Sequence, residues 1–168
     1  MVDANANWNL PQALQNLPML EEFGIDFLEE PIVPSDAEGF VELQRHTTIP
    51  IAGGENLYTI AEFTRFIRHG ALRILQPDIG RIGGVTGWMR VAALGAAFNL
   101  PVASHLGQEV SVHVLCAAKN ATLLEYVPTF DPIFESPLTV NSDGTISPPS
   151  VPGVGVRFRM DLIEPHRV

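Results

Sequence analysis

Residues 25–56 read IDFLEEPIVPSDAEGFVELQRHTTIPIAGGEN, and this stretch decides the architecture. It opens on an apolar, β-prone run, Ile25 to Leu28, that ends at the carboxylates Glu29 and Glu30. Helical spacing follows around Asp36 to Arg45, where Ser35 is a candidate N-cap. A second apolar run, Ile49 to Ala52, then leads to Glu55, 26 residues after Glu29. Strand, helix and strand in that order make a βαβ unit, whose two strands run parallel and end on the same edge.

The same step repeats outward in both directions. Strand-like segments recur at Val2 to Asp3, Leu72 to Leu75, Val102 to Ser104 and Leu123 to Leu124, which makes six in all. Each ends at or just before a polar side chain: Asp3, Glu29, Glu55, Asp78, His105 and Glu125, at intervals of 26, 26, 23, 27 and 20 residues. Between them, Ile60, Phe63, Phe66 and Ile67 mark an amphipathic helix stopped by Gly70, and Trp88, Val91, Ala92 and Phe98 mark another within Val85 to Phe98. Weaker helical patterns lie around Leu10 to Leu17, where Pro18 is expected to interrupt, and around Val110 to Ala118. The fold class is therefore α/β with a parallel sheet, either open and doubly wound or closed as a β/α barrel. Both place ligands at the C-terminal ends of the strands, so all six polar groups converge.

The pattern changes from residue 127, which divides the chain into a β/α portion, 1–126, and a Pro/Gly-rich segment, 127–168. There an Asn-Ser-Asp-Gly turn at 141–144 predicts a hairpin, and Phe130, Ile133, Phe134 and Leu138 are too apolar for a free tail.

Composition bounds the partners. At 168 residues and 46% hydrophobic content the chain can bury roughly 70% of its unfolded surface. With 10 Lys+Arg against 19 Asp+Glu the net charge is -9, and the basic residues are scattered. That argues against nucleic acid and anionic membrane. Cys116 is alone, so no internal disulfide forms, and the N-terminal residues lack a secretory pattern. A soluble, cytoplasmic protein is expected.

Asp3, Glu29 and Glu55 end three successive strands, which lie about 4.8 Å apart if they are neighbours. Three carboxylates so placed repel one another, and a hard cation such as Mg²⁺ or Mn²⁺ offsets that charge while leaving positions for water and substrate. The competing reading is that each caps the helix that follows it. Glu30 is expected to face the other side of the sheet, because neighbouring strand residues alternate. His105 and Asp78 end adjacent strands, where a carboxylate can fix the imidazole tautomer and raise its basicity, so His105 is the candidate general base. A structurally satisfied histidine is the alternative. Glu125 is either a solvated strand-end carboxylate or a protonated donor to a developing oxyanion. The glycines from Gly80 fit neither dinucleotide nor Walker spacing and read as a helix-start turn. Neither a Ser-His-Asp set with a nucleophile elbow nor a metal-spaced Cys/His set occurs.

Taken together, VDANANW, FLEEP, IAGGEN, LQPDIGRIGG and ASHLGQE, with the tail phrase PGVG, resemble the mandelate racemase branch of the enolase superfamily. The resemblance implies an incomplete (β/α)8 TIM-type barrel and a reaction that begins by removing the proton α to a carboxylate. It also implies Mg²⁺ held by Asp3, Glu29 and Glu55, a His105–Asp78 dyad as base, and Glu125 bonded to a small-molecule carboxylate substrate. A histidine dyad in place of a lysine is similar to the racemase and acid-sugar dehydratase members. Family members carry a capping domain and two earlier barrel strands, one with a Lys-x-Lys motif. Against that pattern, this chain corresponds to the C-terminal portion. Two functions follow as expectations: a Mg²⁺-dependent acid-sugar or α-hydroxy-acid dehydratase or racemase, or a catalytically incomplete fragment that keeps metal binding and self-association. Open strand edges predict a homo-oligomer, or a complex with the N-terminal portion.

Overall fold

Four short parallel strands form one sheet in sequential order in the computed structural model, which describes residues 1–167. They are β1 (Val2–Asp3), β2 (Leu28–Glu29), β3 (Ile51–Gly53) and β4 (Ile74–Leu75). The fifth segment continues the same edge through isolated parallel bridges, Leu75 to Val102 and Asp78 to His105, and the sixth pairs with Val102 at Ala121, two residues before the expected run Leu123 to Leu124, in place of regular ladders. Helices α1 (Leu10–Glu22), α2 (Ala37–Arg45), α3 (Ile60–His69), α4 (Gly84–Ala97) and α5 (Gln108–Ala117) alternate with these segments. A short α6 (Met160–Ile163) lies near the C-terminus.

Each of the first five helices touches the next, so they form one layer. A doubly wound sheet reverses its strand order to place helices on both faces. Here the order never reverses, and the helices stay together, which is the winding of a TIM-type β/α fold. Leu28, Ile51, Leu75 and Val102 join Ala13, Leu17, Phe40, Leu43, Phe63 and Trp88 in the core between sheet and helices. The alternate strand positions, Asp3 and Glu29 among them, fall on the other side.

Local chemistry explains most helix limits. Asn9 and Gln12 close a reciprocal capping box at the start of α1, and Thr59 and Glu62 do the same for α3. Gly70 ends α3 in the left-handed conformation, and Gly83, at φ 89, starts α4. The glycines from Gly80 thus belong to a helix-start turn, as their order predicts.

Two sequence expectations need correction. Pro18 does not end α1, which runs through it to Glu22. Ala13, Leu17 and Leu20 place one buried stripe on either side of the proline, and their burial outweighs the missing amide and the crowding of the carbonyl one turn back. Ser35 does not cap α2; the Asp36 carboxylate does, accepting the Gly39 N–H at 2.9 Å.

In 127–168, the turn at 142–144 is closed by Gly144 N–H donating to the Asn141 carbonyl at 2.9 Å. The antiparallel bridge in this segment joins Phe134 to Phe158, whose rings stack with centroids 5.3 Å apart. Phe134 and Leu138 are buried while Phe130 remains exposed, and the segment meets the β/α portion where the Tyr126 hydroxyl donates to the Leu138 carbonyl at 3.2 Å and His113 Nε2 lies 3.1 Å from the Val154 carbonyl. Among the described residues no helix is long and apolar enough to cross a membrane.

These local terms predict opposite shifts in thermal stability. Pro18 is exposed within α1, so Pro18→Ala should stabilise by about 1–3 kcal/mol. Asp36→Ala removes a capping bond and should destabilise by about 1 kcal/mol. Melting of both variants checks the pair. A fall in melting temperature for Pro18→Ala would contradict the account of α1.

Candidate active site

The register of the sheet brings the polar strand ends together. Asp3 and Glu29 are direct partners across β1 and β2, and Glu29 in turn faces Ala52 of β3. Glu55 follows β3 by two residues. Asp78 and His105 are joined by a parallel bridge. Glu125 is tied in from the last segment: its backbone N–H donates to Ser104 Oγ at 3.0 Å, and its carboxylate accepts the Leu106 N–H at 2.7 Å.

His105 is the centre of this edge. It is buried, its Nδ1 donates to Asp78 Oδ2 at 2.7 Å, and its Nε2 lies 2.9 Å from Glu55 Oε2. Both ring nitrogens face carboxylates, so both carry protons and the ring is an imidazolium. Burial by itself lowers the pKa, but the hydrogen bonds to Glu55 and Asp78 and the charges of Glu55 and Glu125 prevail and raise it to about 9. The same contact lowers Glu55: the bond from His105 dominates over burial, with help from Arg81.

Glu29 responds in the opposite sense. Burial, opposed by a hydrogen bond from Gln76 and reinforced by the charges of Asp3, Glu125 and Glu55, pushes it up to about 7. The buried Oε1 of Gln76 has no hydrogen-bond partner. Asp3 is exposed, and its Oδ1 accepts the Asn5 N–H at 2.7 Å.

Glu30 departs from the alternation expected of it. Its φ of 31° breaks the strand geometry, and its buried carboxylate accepts a hydrogen bond from Asn56 Nδ2 at 2.9 Å. Burial raises its pKa despite that bond, and the charges of Glu55 and Asp3 raise it further, so it shares the field of the cluster it was expected to face away from. Arg81 was missed as well; its Nη1 donates to Glu55 Oε1 at 3.1 Å and to Asn56 Oδ1 at 3.0 Å. A signal for these residues exists: Glu30 to Asn56 and Glu55 to Arg81 repeat the 26-residue step of Glu29 to Glu55.

The donors suit a hard divalent cation. They are carboxylate oxygens with an unpartnered amide oxygen beside them, they lack sulfur, and burial together with the neighbouring charges raises the pKa of one carboxyl. Glu55 is engaged by His105 and Arg81, so among the described residues no three His, Cys, Asp or Glu side chains close on a single point.

Comparisons with known proteins identify the family of the chain. A family described as enolase C-terminal domain-like matches residues 1–162. A 3,6-anhydro-alpha-L-galactonate cycloisomerase of Streptomyces coelicolor is 36% identical over 157 residues, 93% of this chain and 43% of that protein. The crystal structure of a racemase from Streptomyces coelicolor with bound magnesium superposes with TM-score 0.93 at 34% identity, over 98% of this chain and 45% of that one. An L-talarate dehydratase of a Polaromonas species, complexed with Mg and L-glucarate, gives TM-score 0.90 at 33% identity over 98% and 46%. The chain spans less than half the length of each of these proteins.

The raised groups predict how the metal-free protein titrates. Glu29 keeps a proton to about pH 7 in the folded state and to about 4.5 unfolded, so stability present below pH 4.5 is lost as pH rises through 7. His105 acts likewise between its ordinary 6.5 and about 9. Each step is worth up to about 3 kcal/mol. In EDTA the melting temperature should fall from pH 4.5 to 9, with the lower step reduced in Glu29→Gln and the upper one lost in His105→Gln. A flat or rising profile would contradict the assigned protonation states.

Proposed function

The chain belongs to the enolase C-terminal domain-like family, and from that premise we propose that it carries the metal and proton-transfer groups of a Mg²⁺-dependent enzyme acting on acid sugars or α-hydroxy acids. The reaction is removal of the proton α to a carboxylate, followed by loss of a hydroxyl in a dehydratase or return of a proton in a racemase. The observation that carries this reading is His105 held between Asp78 and Glu55 on the same edge as Asp3 and Glu29.

Asp3, Glu29 and Glu55 are the residues that would hold Mg²⁺, or Mn²⁺ in its place. Bound there, the cation supplies Lewis-acid polarisation of the substrate carboxylate. The remaining steps belong to side chains. Asp78 accepts from Nδ1 of His105 and fixes the ring, which leaves Nε2 as the atom that takes or delivers the proton. In its cationic form His105 is poised to protonate a leaving hydroxyl; as the neutral imidazole it accepts the α-proton. Glu125, beside the His105 turn, is assigned to hydrogen-bond the substrate carboxylate, a role in which its carboxyl O–H would be the donor.

The sequential sheet supports reading 1–126 as about six units of a β/α barrel and 127–168 as a segment packed on it. Because the chain matches 43–46% of the three proteins named above, a second reading is a fragment that binds metal and self-associates without turnover. Its partner is then a second copy or the N-terminal portion that completes the barrel.

Exchange of the α-proton, followed by proton NMR in deuterated water with Mg²⁺ and a panel of aldonates and aldarates, tests the first reading. Exchange is expected with at least one substrate and should fall by about 10²–10⁴-fold in His105→Asn. Exchange that persists in His105→Asn removes the assigned base. Saturable Mg²⁺ binding without exchange across the panel favours the second reading.

A further inference from the structure

Arg81 and the Asn56 amide together link three of the strand ends. Arg81 lies in the turn after β4, and its Nη1 donates to Glu55 Oε1 at 3.1 Å, to the Glu55 main-chain carbonyl at 3.2 Å and to Asn56 Oδ1 at 3.0 Å. The Asn56 amide passes the constraint on: its Nδ2 donates to Glu55 Oε1 at 3.1 Å and to Glu30 Oε2 at 2.9 Å. At its other end Arg81 is anchored to Asp78, whose Oδ1 accepts the Arg81 backbone N–H at 2.9 Å and whose Oδ2 lies 3.9 Å from Nε. The strand-end carboxylates of β2, β3 and β4 are thereby linked through one side chain and one amide.

A surface arginine that only balances charge reaches toward a carboxylate and stays in solvent. Arg81 is about one-third exposed (34%) and spends hydrogen bonds on a carbonyl and an amide oxygen, neither of which is a negative charge. These contacts fix direction. Bonded at once to a carboxylate and to the backbone of the same residue, the guanidinium allows Glu55 few rotamers.

We propose that Arg81 is the positioning residue of this site: it holds the Glu55 carboxylate and, through Asn56, the Glu30 carboxylate in fixed directions, and thereby sets the affinity for a divalent cation. The last clause rests on the metal reading above. Two effects of Arg81 on a cation oppose each other, and that makes the proposal decidable. Its charge repels a cation, so a role in charge alone means that its removal tightens binding. Its hydrogen bonds align a ligand, and loss of such outer contacts weakens binding by about 10–100-fold.

Arg81→Met and Arg81→Lys, prepared in the 168-residue chain, separate the effects, with melting in EDTA confirming that each variant folds. Calorimetry with MgCl₂ should give an affinity about 10–100-fold weaker for Arg81→Met, with part of the loss recovered in Arg81→Lys. Affinity that is unchanged or tighter in Arg81→Met overturns the proposal. A readout without metal stands beside it: in EDTA, the ¹⁵N side-chain amide signals of Asn56 should shift and lose exchange protection in Arg81→Met. If the parent chain binds no Mg²⁺ the metal reading fails, and the Asn56 signals alone decide the positioning role; signals identical to the parent's overturn it.

Discussion

His105 donates to Asp78 at 2.7 Å and lies 2.9 Å from Glu55, and these two contacts put one buried positive charge among six carboxyl groups. Asp3, Glu29, Glu30, Glu55, Asp78 and Glu125 all lie at or next to the strand ends, and among the described residues His105 and Arg81 are the cations paired with them there. Burial, reinforced by that imbalance, pushes the pKa of Glu29 up to about 7, while hydrogen bonds and charges from His105 and Arg81 hold Glu55 below its ordinary value. An edge built this way is unfavourable for folding alone. A cation is the simplest agent that relieves it, because it replaces repulsion among oxygens with ligation by them.

The fold makes that concentration of charge unavoidable. Parallel strands joined by right-handed crossovers all end on one edge, and a period of about 26 residues returns each strand end to the same height. Register then carries the detail. Asp3 faces Glu29, and the bridge between Asp78 and His105 brings the imidazole within reach of its carboxylate. The stability needed to hold these groups comes from the opposite face, where Leu28, Ile51, Leu75 and Val102 meet the helices in a continuous core.

Much of this was legible before the structure. The α/β order and the parallel sheet follow from apolar runs alternating with helical spacing, and the polar residue closing each run supplied Asp3, Glu29, Glu55, Asp78, His105 and Glu125. What escaped sequence reasoning has particular physical causes. Glu30 reaches the cluster because a positive φ interrupts the strand, and alternation rules assume regular strand geometry. Arg81 and Asn56 act from loops, where no periodicity marks a side chain and only the repeated step hints at their neighbours. The local cost of Pro18 is plain in the sequence and predicts a stop, whereas the buried stripe of Ala13, Leu17 and Leu20 that carries α1 through it is a tertiary effect. The weak fifth and sixth strands illustrate the same limit, since a run that pairs through single bridges looks like any other apolar run.

The central claim is that Asp3, Glu29 and Glu55 share one divalent cation, and Mn²⁺ can be located directly. Crystals grown with MnCl₂ and measured near the manganese absorption edge should show an anomalous peak among these three carboxylates. The peak should vanish in Glu29→Gln. An anomalous map without a peak at the strand ends, or with one that survives in Glu29→Gln, would contradict the account.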